Sequence, residues 1–215
     1  ADKYQVPMVK VTGGQRIDLL GIRKEDLPGV WKDLDMPSGH AYGKSIRTVK
    51  TCVGSEFCRF GTQNSTQMGI DLEHALFNMW SPHKVKLAVS GCPRNCAESG
   101  IKDVGIIGVD SGWELYIGGN GGIKTEAGEF FVKVKSAEEV MEYSLAFLQL
   151  YREEAFYLER TVHYLQRVGM DHIKQAVLND AERRKALHQR LLFSLSFEQD
   201  PWQEQLSKPQ LKKEF

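Results

Sequence analysis

The 215-residue sequence has only four cysteines, too few for a disulfide scaffold at this length, and their clustering points to a metal centre in a reducing compartment. It carries no net charge: Lys+Arg and Asp+Glu number 28 each, which removes any bulk electrostatic case for nucleic acid or a membrane surface as partner. No apolar run approaches the roughly 20 residues of a membrane helix. The opening Ala-Asp-Lys-Tyr is not a signal peptide, so a cytoplasmic location is expected. The chain does not begin with Met and is expected to be a processed or excised piece of something longer. It has no Gly-x-Gly-x-x-Gly after a strand, no internal repeat and no low-complexity tract. What is there is ordinary for a soluble globular protein with a substantial core: 41% hydrophobic and 26% charged residues.

Glycine and proline divide the chain. Nineteen of the 20 glycines precede residue 130, and no proline lies between Pro93 and Pro201. The first part therefore reads as strands, tight turns and close backbone approaches, and the last 80 or so residues as helix. Met8–Val11 and Ile17–Ile22 flank Thr12-Gly13-Gly14-Gln15 as strand–turn–strand, and Arg23–Asp33 reads as a short helix anchored by Trp31 and Leu34. Residues 84–90, 104–109, 113–117 and 130–134 are further strand candidates. Ser136-Ala137-Glu138-Glu139 reads as a capping box. It opens a helix whose apolar face is Val140, Tyr143, Phe147, Leu150 and Tyr151, and Leu158, Val162 and Leu165 suggest that this helix, or a second one, continues to Gly169. Asp171 is expected to cap a helix through Leu178, and residues 181–192 form another. The tail from Asp200 is polar and is expected to be loose or docked by Trp202.

The cysteines are Cys52 and Cys58, separated by five residues, then Cys92 and Cys96, separated by three. Structural zinc sites favour two to four intervening residues, which the first pair fits poorly. Two unequal, widely spaced pairs fit a cubane cluster held between loops, with zinc and buried free thiols as the alternatives. Cys92 lies in Ser90-Gly91-Cys92-Pro93-Arg94-Asn95-Cys96, where Gly91 lets the backbone approach a bulky group and Pro93 fixes a tight turn. Residues 40–102 carry eight Lys/Arg against four acids, which suggests an anionic ligand near the metal, although each cation taken singly is also ordinary surface charge. The six histidines, His40, His74, His83, His163, His172 and His188, show no ligand-like pairing. The tyrosines of residues 143–164 are most simply core packing.

Cys-x5-Cys followed by Ser-Gly-Cys-x3-Cys resembles the sirohaem and [4Fe–4S] domain of nitrite and sulfite reductases. Lys10–Ile22, Arg47–Ser55, Cys58–Gln63, Glu182–Leu187 and Asp200-Pro201-Trp202 are similar to the C-terminal portion of the large subunit in the bacterial NAD(P)H-dependent nitrite reductases of that family. The resemblance implies an α+β fold in three parts: a short ferredoxin-like lobe (1–43), a central mixed-sheet sirohaem and iron–sulfur domain (44–135) and a C-terminal helical extension (136–215). It implies a six-electron reduction of nitrite to ammonia at sirohaem. The alternatives are a small stand-alone sulfite reductase and, in another class, a haem-free electron-transfer iron–sulfur protein.

The resemblance also implies roles for residues. Cys52, Cys58, Cys92 and Cys96 ligate one [4Fe–4S] cluster, and Cys96 bridges to the sirohaem iron. Arg47, Lys84 and Lys86 surround the substrate anion; the two lysines, at i and i+2 of a strand, project to one face, and an exposed strand face is the plain alternative. Arg16, Arg94 and Asn120 are weaker candidates for sirohaem contacts, Asn120 lying in a glycine-rich turn. The resemblance assigns no histidine; His83 is a minor candidate for proton delivery on its position beside Lys84 alone. FAD, [2Fe–2S] and NAD(P)H belong to absent N-terminal modules, so electrons come from flavin and iron–sulfur modules of the same polypeptide or a partner. A small subunit and a homodimer that completes the sirohaem pocket are the remaining partners the resemblance allows.

Overall fold

The computed structural model describes residues 1–38, 44–198, 200 and 203. The chain divides into two compact units, Ala1–Ala41 with Glu198–Phe215, and Tyr42–Phe197. Among the described residues no helix is long and apolar enough to cross a membrane.

In the first unit Met8–Val11 (β1) and Ile17–Leu20 (β2) form the antiparallel hairpin expected, with Val11 opposite Ile17. The turn closes because Gln15 takes a left-handed φ of 60° and the Thr12 hydroxyl accepts from the Arg16 N–H. A 3-10 turn, Lys24–Asp26, leads into Leu27–Leu34 (α1), where Pro28 sits in the first turn and needs no N–H partner. Leu34 is not the anchor expected of it: it is 45% exposed, and Val30 is the buried residue of this helix. Ser38 donates through its N–H and hydroxyl to the Asp200 carboxylate. Trp202 and His40 lie outside the described residues.

The second unit is a mixed five-stranded sheet with helices. In chain order its elements begin with Lys50–Thr51 (β3), Gly54–Phe57 (α2), Ser65–Leu76 (α3), Leu87–Ser90 (β4), Val104–Val109 (β5) and Gly112–Ile117 (β6). Then come Asn120–Gly121 (β7), Thr125–Glu126 (β8), Glu129–Val134 (β9), Ala137–Glu154 (α4), Thr161–Val168 (α5), Met170–Lys174 (α6) and Ala181–Leu195 (α7). The sheet order is β3-β4-β5-β6-β9, parallel across β3, β4 and β5 and antiparallel beyond; β7 and β8 make a separate small hairpin. Leu87, Val89, Val104, Ile106, Leu115 and Ile117 alternate onto one face, where they join Met68, Leu72 and Leu76 of α3 and Phe147, Leu148 and Tyr151 of α4 in a continuous core. Burying each such side chain contributes about 1.5–3 kcal/mol.

Helix α4 begins at the capping box, both halves of which are formed by Ser136 and Glu139. It stops at Ala155, whose backbone is extended. Leu158 then takes a left-handed φ of 63° and is 52% exposed, so it does not carry the apolar stripe onward; α5 resumes that stripe at Val162 and Leu165. The next helix starts at Met170, before Asp171, and passes into a π-helical turn over Gln175–Asn179. Asp180 caps α7 by accepting from the Arg183 N–H at 2.8 Å.

Candidate functional site

The parallel pairing of β3 with β4 sets Thr51 opposite Val89, so Cys52 and Cys92 leave neighbouring strands at the same end. Two loops follow and interlock. The Gly91 carbonyl accepts from Thr62 N (2.8 Å), Gln63 N (3.0 Å) and Thr62 Oγ1 (3.0 Å), while the Gly91 N–H donates to Cys52 Sγ at 3.1 Å. Cys58 sits at the end of α2, its N–H donating to the Gly54 carbonyl. Glycine is required where the loops meet. At Gly54 the φ is +63° and a Cβ would lie 2.7 Å from Ser65 N; at Gly91 one would lie 2.8 Å from the Gln63 carbonyl oxygen.

The second loop is shaped by Asn95, left-handed at φ 57°, whose Oδ1 accepts from Gly100 N at 3.1 Å. Ser90 Oγ accepts from Ala97 N and pairs with Ser99 Oγ at 2.9 Å, tying the loop down behind the cysteines. Arg94 stacks on the Phe60 ring at 3.8 Å from its centroid, and Arg59 lies 4.6 Å from the same ring. Phe60 therefore joins the two cysteine loops by cation–π contact, a link with no signal in the spacing of the motifs. Cys92 is buried, Cys52 and Cys58 are half-buried and Cys96 is exposed; all four thiols are free.

Burial pushes the Cys52 thiol up, but the Ser65 hydroxyl and the N–H groups of Gly91 and Gly54 outweigh it, leaving Cys52 below the ordinary thiol value. A thiolate is what iron binds. Among the described residues no three Cys, His, Asp or Glu side chains converge to hold a single ion. A cubane places its four thiolates on separate irons and needs no such convergence. The donor set therefore fits an iron–sulfur cluster: four free thiols on two loops that glycine lets close, with backbone N–H already turned to one sulfur.

The cations stand at the other end of β4. Ile46 bridges Val85 in parallel, and the Arg47 N–H donates to the Val85 carbonyl at 2.9 Å. Val85 is fully buried in the core, so alternation turns Lys84 and Lys86 to the opposite face, and Arg47, next to core-packed Ile46, turns the same way. Arg47, Lys84 and Lys86 are thus brought together, with β4 separating them from the cysteines by about 13 Å of strand.

Burial, then the neighbouring charges of Lys84, Lys102 and Arg160, pull the Lys86 ammonium below its ordinary value, against Asp103. Burial, Arg160 and Lys84 likewise pull His83 down, and its Nδ1 already accepts from Lys84 N at 2.7 Å. Lys50 and Lys102 both pair with Glu98, at 3.1 and 2.9 Å. Asp103 is 1% exposed and is a hub: it accepts from Lys86 N at 2.8 Å, from the Arg160 guanidinium at 3.1 Å and from the Thr161 hydroxyl. Neither Asp103 nor Arg160 stood out in the sequence.

The weaker candidates fall elsewhere. The Asn120 amide donates to the Lys124 carbonyl at 2.7 Å, closing the β7–β8 hairpin. Arg16 belongs to the first unit, where its guanidinium folds back over Gly14.

Residues 42–185 match the family described as "Nitrite and sulphite reductase 4Fe-4S domain". The chain is 62% identical over its full length to "Nitrite reductase [NAD(P)H]" of Bacillus subtilis, of which it covers 26%. It therefore spans about a quarter of that curated relative. It is 36% identical over 82% of its length to "Sulfite reductase, assimilatory-type" of Nitratidesulfovibrio vulgaris, covering 81% of that protein. Among solved structures it superposes on dissimilatory sulfite reductase I with a TM-score of 0.70 at 16% identity, over 78% of this chain and 61% of that one. It superposes on the Mycobacterium tuberculosis NirA protein with a TM-score of 0.68 at 20% identity, over 78% of this chain and 33% of that one.

Proposed function

Because the chain belongs to the nitrite and sulphite reductase 4Fe-4S domain family, we propose that it is the catalytic portion of an NAD(P)H-dependent nitrite reductase. The observation that carries the reading is the arrangement along β4: four cysteines on interlocked loops beyond one end, and Arg47, Lys84 and Lys86 together at the other. The reaction is NO2− + 6 e− + 8 H+ → NH4+ + 2 H2O. When bound, the sirohaem and its coupled cluster supply the six electrons one at a time.

The chain's own residues supply the rest. Cys52, Cys58, Cys92 and Cys96 would hold the cluster, and Cys96, the exposed thiol, would link it to the sirohaem. Arg94, beside the cysteine loops, would offer a partner to the tetrapyrrole carboxylates. Arg47, Lys84 and Lys86 bind and orient the anion. Lys86, below its ordinary value, releases a proton from Nζ more readily than a solvated lysine and takes it back from solvent. The electrons come from flavin and [2Fe–2S] modules of the same polypeptide, with NAD(P)H as their source; a small subunit and a second copy of the chain are further partners.

The test is reduced-viologen-driven nitrite reduction by Arg47→Ala and by Lys84→Ala/Lys86→Ala, each normalised to sirohaem content. Donors of this kind contribute about 3 kcal/mol, on the order of 10² to 10³ in rate. A loss of tenfold or more at full occupancy supports the reading, and wild-type rates overturn it. The match over most of a short sulfite reductase favours one second reading, sulfite as substrate, which the same assay run with sulfite separates.

A further inference from the structure

Resting on the reading of Arg47, Lys84 and Lys86 as the anion face, we propose that Asp103 and Arg160 are its positioning residues, through which the helical extension holds the lysine strand in place. One carboxylate oxygen of Asp103 accepts both from the Lys86 N–H at 2.8 Å and from Arg160 Nη2 at 3.1 Å. The other oxygen accepts from Arg160 and from the Thr161 hydroxyl, at the first residue of α5. The loop between α4 and α5 is tied to the same stretch of chain a second time, by the Leu158 N–H donating to the Pro82 carbonyl at 3.1 Å.

The arrangement has a physical purpose. Lys84, Lys86, Lys102 and Arg160 crowd one region, and Lys50 and Lys102 are tied up by Glu98. Like charges in one region repel, and before β4 begins the segment that carries Lys84 and Lys86 is held by the isolated bridge to the 45–47 segment and by the Val104 N–H donating to the Lys86 carbonyl at 3.3 Å. A buried carboxylate at the centre offsets the repulsion and fixes the Lys86 backbone, so the two amines keep their place. Asp103 is nearly inaccessible and its charge would be costly if unpaired, and Arg160 pairs with it at 3.1 Å. Pure scaffolding would need only a neutral hydrogen-bonding side chain at residue 103. A carboxylate hub that accepts from the Lys86 backbone and from Arg160 points to placement of the anion face as its task.

The experiment uses the sirohaem-loaded protein and four variants: Asp103→Asn, Arg160→Gln, Arg160→Lys and Lys84→Ala/Lys86→Ala. Two quantities are measured. The first is kcat/KM for nitrite with reduced viologen, per sirohaem. The second is the titration of the Lys86 amine, followed by acetic anhydride labelling across pH and read by peptide mass spectrometry. Asp103→Asn should lower kcat/KM at least tenfold at unchanged sirohaem content and move the Lys86 titration further down, since the one attractive charge is gone. Arg160→Gln should lower kcat/KM similarly while moving the titration up, and Arg160→Lys should recover most of the rate. Arg160 is more accessible than Asp103, so its variants decide the matter if Asp103→Asn does not fold. Wild-type kcat/KM and an unmoved Lys86 titration in the Asp103 and Arg160 variants, whatever their melting temperatures, would overturn the positioning role while a slow Lys84→Ala/Lys86→Ala keeps the anion face. Wild-type rates in the double lysine variant would overturn both.

Discussion

Gly91→Ala tests whether the two cysteine loops depend on the close approach seen between them. A Cβ at residue 91 would lie 2.8 Å from the Gln63 carbonyl oxygen, 2.9 Å from Gly54 Cα and 3.1 Å from Ser65 Oγ. Two of these three atoms are backbone, and the Gly91 carbonyl is clamped by the N–H groups of Thr62 and Gln63, so relief requires the loops to part. Inserting a methyl group into such a contact costs about 1–3 kcal/mol. For a chain of this length each kcal/mol moves the melting temperature by about 2–4 °C, giving an expected fall of about 2–12 °C. The same displacement draws the Gly91 N–H away from Cys52 Sγ, now 3.1 Å distant, and a hydrogen bond to a charged group contributes about 1.5–3 kcal/mol. The cluster is therefore expected to be partly lost as well. Calorimetry gives the first quantity, and iron with acid-labile sulfide per chain gives the second. Gly13→Ala is the matched control, because a Cβ there meets nothing within 4 Å. A Gly91→Ala protein with the melting temperature and cluster content of the Gly13→Ala control would refute the reasoning.

Cys96→Ser should lose cluster and sirohaem together under the proposal that one thiolate serves both; an optical spectrum with full sirohaem bands, beside a complete cubane, would break the bridging assignment. The purified chain should reduce nitrite with reduced viologen and show no NAD(P)H-dependent turnover, a result that oxidation of NADH by the chain alone would contradict. Glu98→Gln should flatten the acid limb of the stability curve. Hydrogen bonds from Lys102 and Lys50 hold the Glu98 carboxyl below the ordinary carboxylate range, so its charged form stabilises the fold above that range and the contribution is lost as pH falls through the lowered value. The group is 54% exposed and solvent-screened, so the difference should be small, about 0.2–1 kcal/mol; urea melts at pH 3 to 7 that run parallel for the two proteins would show the pairs contribute nothing.

Local chemistry made much of the fold legible. Val104–Val109 and the residues around Trp113–Ile117 alternate with the period of the pleat, and the turn at Asp110 to Gly112 confines them, so both strands appear where the pattern puts them. Ser136 and Glu139 carry a capping box in four residues, and α4 starts there. What the pattern left open, one helix or two up to Gly169, was also local in origin. Leu158 continues the apolar spacing, but Ala155 turns extended and Leu158 left-handed, so the stripe passes to a second helix that begins only at Thr161. Periodicity reports which residues share a face if the helix continues and is silent on whether it does.

The candidate site divides along the same line. Lys84 and Lys86 share a face by strand period alone, and the cysteine spacing fixes which loops must meet; both are sequence-local properties. Arg47 joins the lysines only through the parallel bridge of Ile46 to Val85, a pairing between segments that no short-range pattern encodes. Asp103 and Arg160 are 57 residues apart, and each alone looks like ordinary surface charge. Their meaning comes from burial: in water the pair would contribute little, whereas at 1% exposure the carboxylate must be matched by partners, and those partners include the backbone of Lys86. A sequence shows the charges of the proposed anion face more readily than the charges proposed to hold them, because the first announce themselves by motif and the second only by desolvation.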